Sequence, residues 1–230
     1  MTPLVLIPGM MCDARLFAPQ IAAFSGQRSI VCASISRRSK VEELAADILA
    51  DAPRSFALAG LSMGGIVAME ILRQAPDRVD RIALMDTNPL AETDKVKALR
   101  FPQMQKVKAG DLRAVMRDEM KPNYLTDGPK RAEILDLCLE MAMGFGPHAF
   151  LNQSLALMER PDQSDTLRAA DIPALVLCGR DDTLCPLHRH ELMAQLIPNA
   201  TLEIIEGAGH LPTLEQADAT NTALRRWLED

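Results

Sequence analysis

One five-residue stretch of this 230-residue chain sets a hydroxyl between glycines: Gly60-Leu61-Ser62-Met63-Gly64. An apolar run over 55–60 precedes it, and a second apolar run, long enough for a buried helix, follows. A strand that turns directly into a helix holds the side chain at the turn clear of the sheet, at a cost in dihedral strain, so that a substrate carbon can reach it. Glycines at 60 and 64 suit the close approach of strand and helix, where a larger side chain would clash. The unpaired N–H groups of the helix aim back at the bend, and that of Met63 is placed to hold a developing oxyanion. The chemistry implied is that of a serine nucleophile. The alternative is a glycine-rich turn whose serine caps a helix.

A serine nucleophile needs a base, and the chain has four histidines. His210 lies in "EGAGHLP", just past the apolar run 200–205, where a parallel sheet places its ligand-facing loops. His188 and His190 stand two apart at a helix start, so they point in different directions, and no carboxylate or cysteine completes a metal-ligand spacing there. His148 reads as a surface or pocket-rim residue. The base in turn needs an acid to fix its tautomer. "CGRDDTLCP", after the run 173–179, offers Asp181 and Asp182, and Asp86 ends the run 81–86.

These residues can meet only if the elements before them lie side by side. Six short apolar runs, 3–7, 29–34, 55–60, 81–86, 173–179 and 200–205, read as strands buried on both faces. Helical patterns separate most of them. The clearest covers 40–51, with Ser39 and Glu42 spaced as a capping box. A second covers 186–197, with Pro186 in its first turn and Pro198 beyond its end. Alternating strand and helix predicts a mostly parallel, doubly wound α/β sheet. The block between Asp86 and Pro173 departs from this, with helical patterns near 95–108, 111–120, 130–143 and 147–158. It reads as an all-helical cap, 89–165, inserted in a core formed by 1–88 and 166–230.

Composition narrows the function. Apolar residues make up 48% and the net charge is −6, and no Lys/Arg run exceeds two residues, so nucleic acid is not an expected partner. Five widely spaced cysteines without a CxxC predict reduced thiols and a cytoplasmic location. No signal-peptide pattern is present, and no uninterrupted apolar run approaches the ~18 residues of a membrane span, so no membrane association is expected. Oligomeric state is not readable. Neither a GxGxxG nor a P-loop pattern marks a nucleotide site.

Serine, aspartate and histidine in that order, each after a strand of a parallel sheet, make the chain resemble the α/β-hydrolase superfamily over nearly its whole length, as a compact serine-esterase-like member with a helical lid. The resemblance implies Ser62 as nucleophile and His210 as base. It favours Asp182 as acid, because Gly179, Asp182 and Pro186 meet the family's Gly-x-x-Asp-x-x-x-Pro spacing, with Asp86 at the position a minority of the family uses. Where relatives carry His-Gly after the first strand, this chain has Pro8-Gly9, and the resemblance gives the second oxyanion donor as the N–H of Met10, with Met11 the alternative. It implies acyl transfer on a small, largely apolar carboxylic ester, lactone or thioester, with no cofactor and no metal. The same triad also serves cofactor-free perhydrolases, C–C bond hydrolases and low-turnover ligand receptors. The cap's Met104, Met116, Met120, Met141, Met143 and Met158 could line an apolar pocket or pack its helices. Arg160 reads as a solvated side chain or a contact to a carboxylate.

Overall fold

The apolar runs form one six-stranded sheet in the computed structural model, which describes residues 1–229. The strands are β1 (Leu4–Ile7), β2 (Ile30–Cys32), β3 (Phe56–Leu61), β4 (Val79–Met85), β5 (Ala174–Gly179) and β6 (Ala200–Ile205). Their order is β2-β1-β3-β4-β5-β6, and every neighbouring pair is parallel. Strands β1, β3 and β5 are buried along their whole length. The outer strands β2 and β6 are only half-buried, contrary to the two-faced burial expected of them, because each has a neighbour on one side alone.

Alternation along the strands divides the core. Val5 and Ile7 of β1 face one apolar cluster, and Leu4 and Leu6 face the other. The first cluster is covered by α2 (Val41–Asp51), α3 (Met63–Gln74) and α8 (Leu187–Leu196), and the second by α1 (Ala18–Phe24) and α10 (Ala217–Glu229). The chain is thus wound on both faces of the sheet. The capping box expected at 39–42 does not form. Lys40 is the N-cap of α2, and no side chain caps the helix, so Glu42 and Glu43 in its first turn supply the favourable charge instead. Pro186 likewise sits at the N-cap of α8, just outside the first turn.

Between β4 and β5 lie α4 (Asp94–Lys108), the short α5 (Leu112–Ala114), a π-type segment over Val115–Met120, α6 (Arg131–Met158) and α7 (Ser164–Arg168); α9 (Pro212–Glu215) follows β6. Among the described residues α6 is the one helix long and apolar enough on average to cross a membrane, at a mean hydropathy of 1.3 over 18 residues. Glu133, Asp136 and Glu140 interrupt its apolar runs. The helix is nevertheless broken at Gly146 (φ 76°, ψ −179°), with Pro147 next, and neither half reaches the ~20 residues a span requires. Met104, Met116, Met141 and Met158 pack into the apolar clusters, and Met143 is exposed.

Candidate active site

The bend at Ser62 has the strain its sequence implies. Its φ is 56° and ψ −118°, and it forms the N-cap of α3 without any side-chain cap bond, leaving Oγ free for other partners. The Ser62 N–H donates to the Met85 carbonyl at 2.8 Å, and the Ser62 carbonyl accepts from Thr87 Oγ1 at 2.7 Å. These bonds to the neighbouring strand end hold a conformation that costs of order 1–3 kcal/mol. A Cβ at residue 60 would strike the backbone of Gly64, and one at residue 64 the Ile7 carbonyl, so both glycines are dictated by close approach.

His210 reaches the same point from the loop after β6. Its Nε2 lies 2.9 Å from Ser62 Oγ, and its Nδ1 lies 2.8 Å from Asp182 Oδ2. Asp182 Oδ1 accepts from the N–H groups of Leu184 and Cys185 at 2.8 and 3.0 Å, which fixes the carboxylate in place. Burial alone would raise the Asp182 pKa, but the His210 ring and the two N–H donors outweigh it and hold the group below its ordinary value. Asp182 therefore accepts from Nδ1–H, and Nε2 is left to accept the serine proton. Asp181 is exposed.

Asp86 lies apart from this line. It is fully buried with φ 44°, and Oδ1 accepts the Gly179 N–H at 2.9 Å. Oδ2 has no well-aligned partner and stands beside Asp182. Burial and the Asp182 charge push Asp86 well above the usual carboxylate range. His190 is also fully buried. Its Nε2 accepts the Thr87 N–H at 3.2 Å, and burial brings its pKa down to about 4.

The loop after β1 runs past the bend, with Gly9 packed against Ser62. Met11 has φ 57°, and its N–H donates to Gln153 Oε1 at 2.9 Å, so it is already engaged. Among the described residues the Met10 N–H donates to no protein acceptor.

The alpha/beta hydrolase family model matches residues 4–223. The chain belongs to that family. The hydrolase is 24% identical over 239 residues to the pimeloyl-[acyl-carrier protein] methyl ester esterase of Aliivibrio salmonicida, covering 98% of this chain and 92% of the relative. It is 27% identical over 195 residues to the enzyme of the same name from Neisseria meningitidis serogroup A, where the match takes in 81% of this chain and 62% of the relative. Among solved structures, a thermophilic esterase from Thermogutta terrifontis, with malate bound, superposes over 100% of this chain and 90% of its own, at a TM-score of 0.91 and 27% identity.

In this hydrolase the bend opens into a cavity of about 620 Å³. Met10, Met63, Ile66 and Leu157 form apolar walls, and Met120 is the one methionine of the inserted helices to take part. His188 is exposed at its edge, and His148 lies outside it. Arg160 pairs with the Glu92 carboxylate at 2.9 Å. Among the described residues, one group of three side chains has ligand atoms within 4.8 Å of one another: Asp182, Cys185 and His210. A metal there would have to displace the bond between His210 and Asp182. All five cysteines are free thiols.

Sequence reasoning missed three supporting residues. Gln153 tethers the loop after β1, Glu215 accepts from the N–H groups of Gly209 and Leu211 at 3.0 and 3.1 Å, and the Tyr124 carbonyl accepts the His210 N–H at 2.7 Å. Gln153 acts across a long sequence separation and Tyr124 through its backbone carbonyl. Only Glu215, close to His210 in the chain, carried a local signal.

Proposed function

We propose that the protein hydrolyses carboxylic esters by two-step acyl transfer through Ser62. His210 Nε2 takes the serine proton as Oγ bonds to the ester carbon, and Asp182 stabilises the imidazolium that results. The N–H groups of Met10 and Met63 hold the oxyanion, each contributing roughly 3 kcal/mol to the barrier reduction. When the tetrahedral intermediate collapses, the C–O bond to the alcohol breaks and His210 protonates the departing oxygen. Water, deprotonated by His210, then attacks the acyl-enzyme, and the second collapse releases the acid and returns the proton to Ser62. Every proton in the cycle is carried by Ser62, His210, the substrate or water.

The observation that carries this reading is the unbroken line Ser62 Oγ, His210 Nε2, His210 Nδ1, Asp182 Oδ2, with both contacts under 3 Å. The esterase names of the relatives support the same reaction class. Residues 89–165 then act as a cap, since side chains from α4 to the end of α6 line the cavity opposite Ser62. Fluorophosphonate labelling read by mass spectrometry, with a panel of p-nitrophenyl esters of increasing chain length, tests the proposal. An adduct on Ser62 that is lost in His210→Ala supports it. Ester turnover unchanged in Ser62→Ala, with no adduct, rejects it.

A further inference from the structure

Two arginines share one buried carboxylate in the wall of the Ser62 cavity. Glu92 accepts from Arg100 Nε and Nη2 at 2.6 and 2.8 Å, and from Arg160 Nη1 at 2.9 Å. The Glu92 side chain is 2% exposed, Arg160 9% and Arg100 17%. Arg160 Nε also donates to the Leu90 carbonyl at 2.9 Å, so this group ties the chain entering α4 to the end of α6.

A structural tie accounts for one arginine and leaves the second unexplained. One guanidinium neutralises Glu92; two leave a surplus positive charge in a poorly hydrated place, where an uncompensated ion is costly. Among the described residues, Arg160 Nη2 and Arg100 Nη1 donate to no protein acceptor. Half-buried Arg189 lines the same cavity with no ion-pair partner among the described residues. The cavity's other carboxylate, Glu119, is already taken by Lys106 at 2.7 Å. In a chain of net charge −6, the cavity facing the nucleophile is thus locally cationic.

We infer that Arg160, Arg100 and Arg189 form a carboxylate subsite, and that the substrate is an ester carrying a free carboxylate, a half-ester of a dicarboxylic acid. This rests on the acyl-transfer reading of Ser62. The planar guanidinium fork matches a carboxylate, and an anion offsets the positive charge that Arg100, Arg160 and Arg189 carry beyond that of Glu92. The apolar walls suit the methylenes between the two ends. On this reading the substrate places its methylenes against the apolar walls and carries its charge at one end.

The test compares kcat/KM of the full-length enzyme for the monomethyl and dimethyl esters of adipic acid, followed by acid release in a pH-stat. The half-ester is expected to be preferred at least tenfold. Arg160→Gln should reduce that ratio about fivefold or more, and Arg160→Lys should restore part of it. Arg189→Gln, which leaves the Glu92 pairs intact, should lower the ratio two- to threefold through KM. Equal or better turnover of the dimethyl ester by the unmodified enzyme overturns the subsite and leaves the Ser62 reading standing. So does a ratio that moves in neither Arg160→Gln nor Arg189→Gln. If both esters are inert and fluorophosphonate leaves Ser62 unlabelled, the acyl-transfer reading falls and the subsite with it.

Discussion

The Gln153 side chain, fully buried on α6, accepts the Met11 N–H at 2.9 Å across 142 residues of sequence. Its Nε2 donates to the Ile35 carbonyl at 3.1 Å, so the inserted helices hold the loop after β1 in the conformation that frees Met10 N–H. Gln153→Leu leaves a buried donor and a buried acceptor unpaired, at about 1–3 kcal/mol each. In the proposed acyl transfer the Met10 contact to the oxyanion strengthens only in the transition state, so its loss appears in kcat. We expect kcat on a p-nitrophenyl ester to fall about ten- to a hundredfold, with KM changed less than about threefold. A loss carried wholly by KM would contradict this role.

Asp182 and Asp86 are separable by isosteric substitution. Asp182 alone bonds to His210, so Asp182→Asn presents the wrong hydrogen-bonding partner to Nδ1 and should lower kcat by about 10⁴. Asp86→Asn keeps its shape, and Asn tolerates the positive φ. It should retain activity to within about tenfold. The two variants are compared by kcat at saturating ester; a larger loss in Asp86→Asn would make that residue the working acid.

The same physics sets what the sequence revealed. The strands β1, β3 and β5 were legible because burial on both faces leaves an apolar run with no polar interruption, and β4 was legible over its buried second half, Ile82–Met85. The broken helix α6 was legible at Gly146-Pro147, where the residues themselves force the break. Ser62, Asp182 and His210 were legible because a strand end, a glycine and a chemically distinct side chain coincide in one short segment. The Gln153 tether was not, since a glutamine in the middle of a helix ordinarily faces water and only the packed partner makes it different. Glu92, just before α4, was missed because only the fold brings its partners to it. Its partners lie eight residues on, at Arg100, and beyond the whole of α6, at Arg160.

Asp86 should also give a distinct stability profile. Its folded pKa is raised by burial and by the Asp182 charge. The stability it contributes is therefore complete below the unfolded value near 3.8 and is lost as pH rises through the folded one. Asp86→Asn cannot ionise, so it should match the unmodified protein at pH 4 and become relatively more stable as pH increases. Urea unfolding from pH 4 to pH 9 measures the gap. A variant less stable at pH 9 than at pH 4, relative to the unmodified protein, contradicts the assignment.

His190 responds in the opposite direction. It is a base held neutral, with its folded pKa lowered by burial from 6.5 to about 4. Its Nε2 must remain unprotonated to accept the Thr87 N–H, and Thr87 in turn bonds the Ser62 carbonyl, so its neutral form supports the bend at Ser62. In the unfolded chain the imidazole gains a proton as pH falls below 6.5, whereas in the folded protein it does not until about 4. The stability lost over that interval is roughly 3 kcal/mol. Asp182, with its pKa lowered, gives way only below its ordinary value of 3.8, so the two contributions occupy different parts of the pH scale. His190→Gln keeps an acceptor for Thr87 without the titration and should flatten urea stability between pH 6.5 and pH 4. An unchanged slope in the variant would assign the acid sensitivity to other groups.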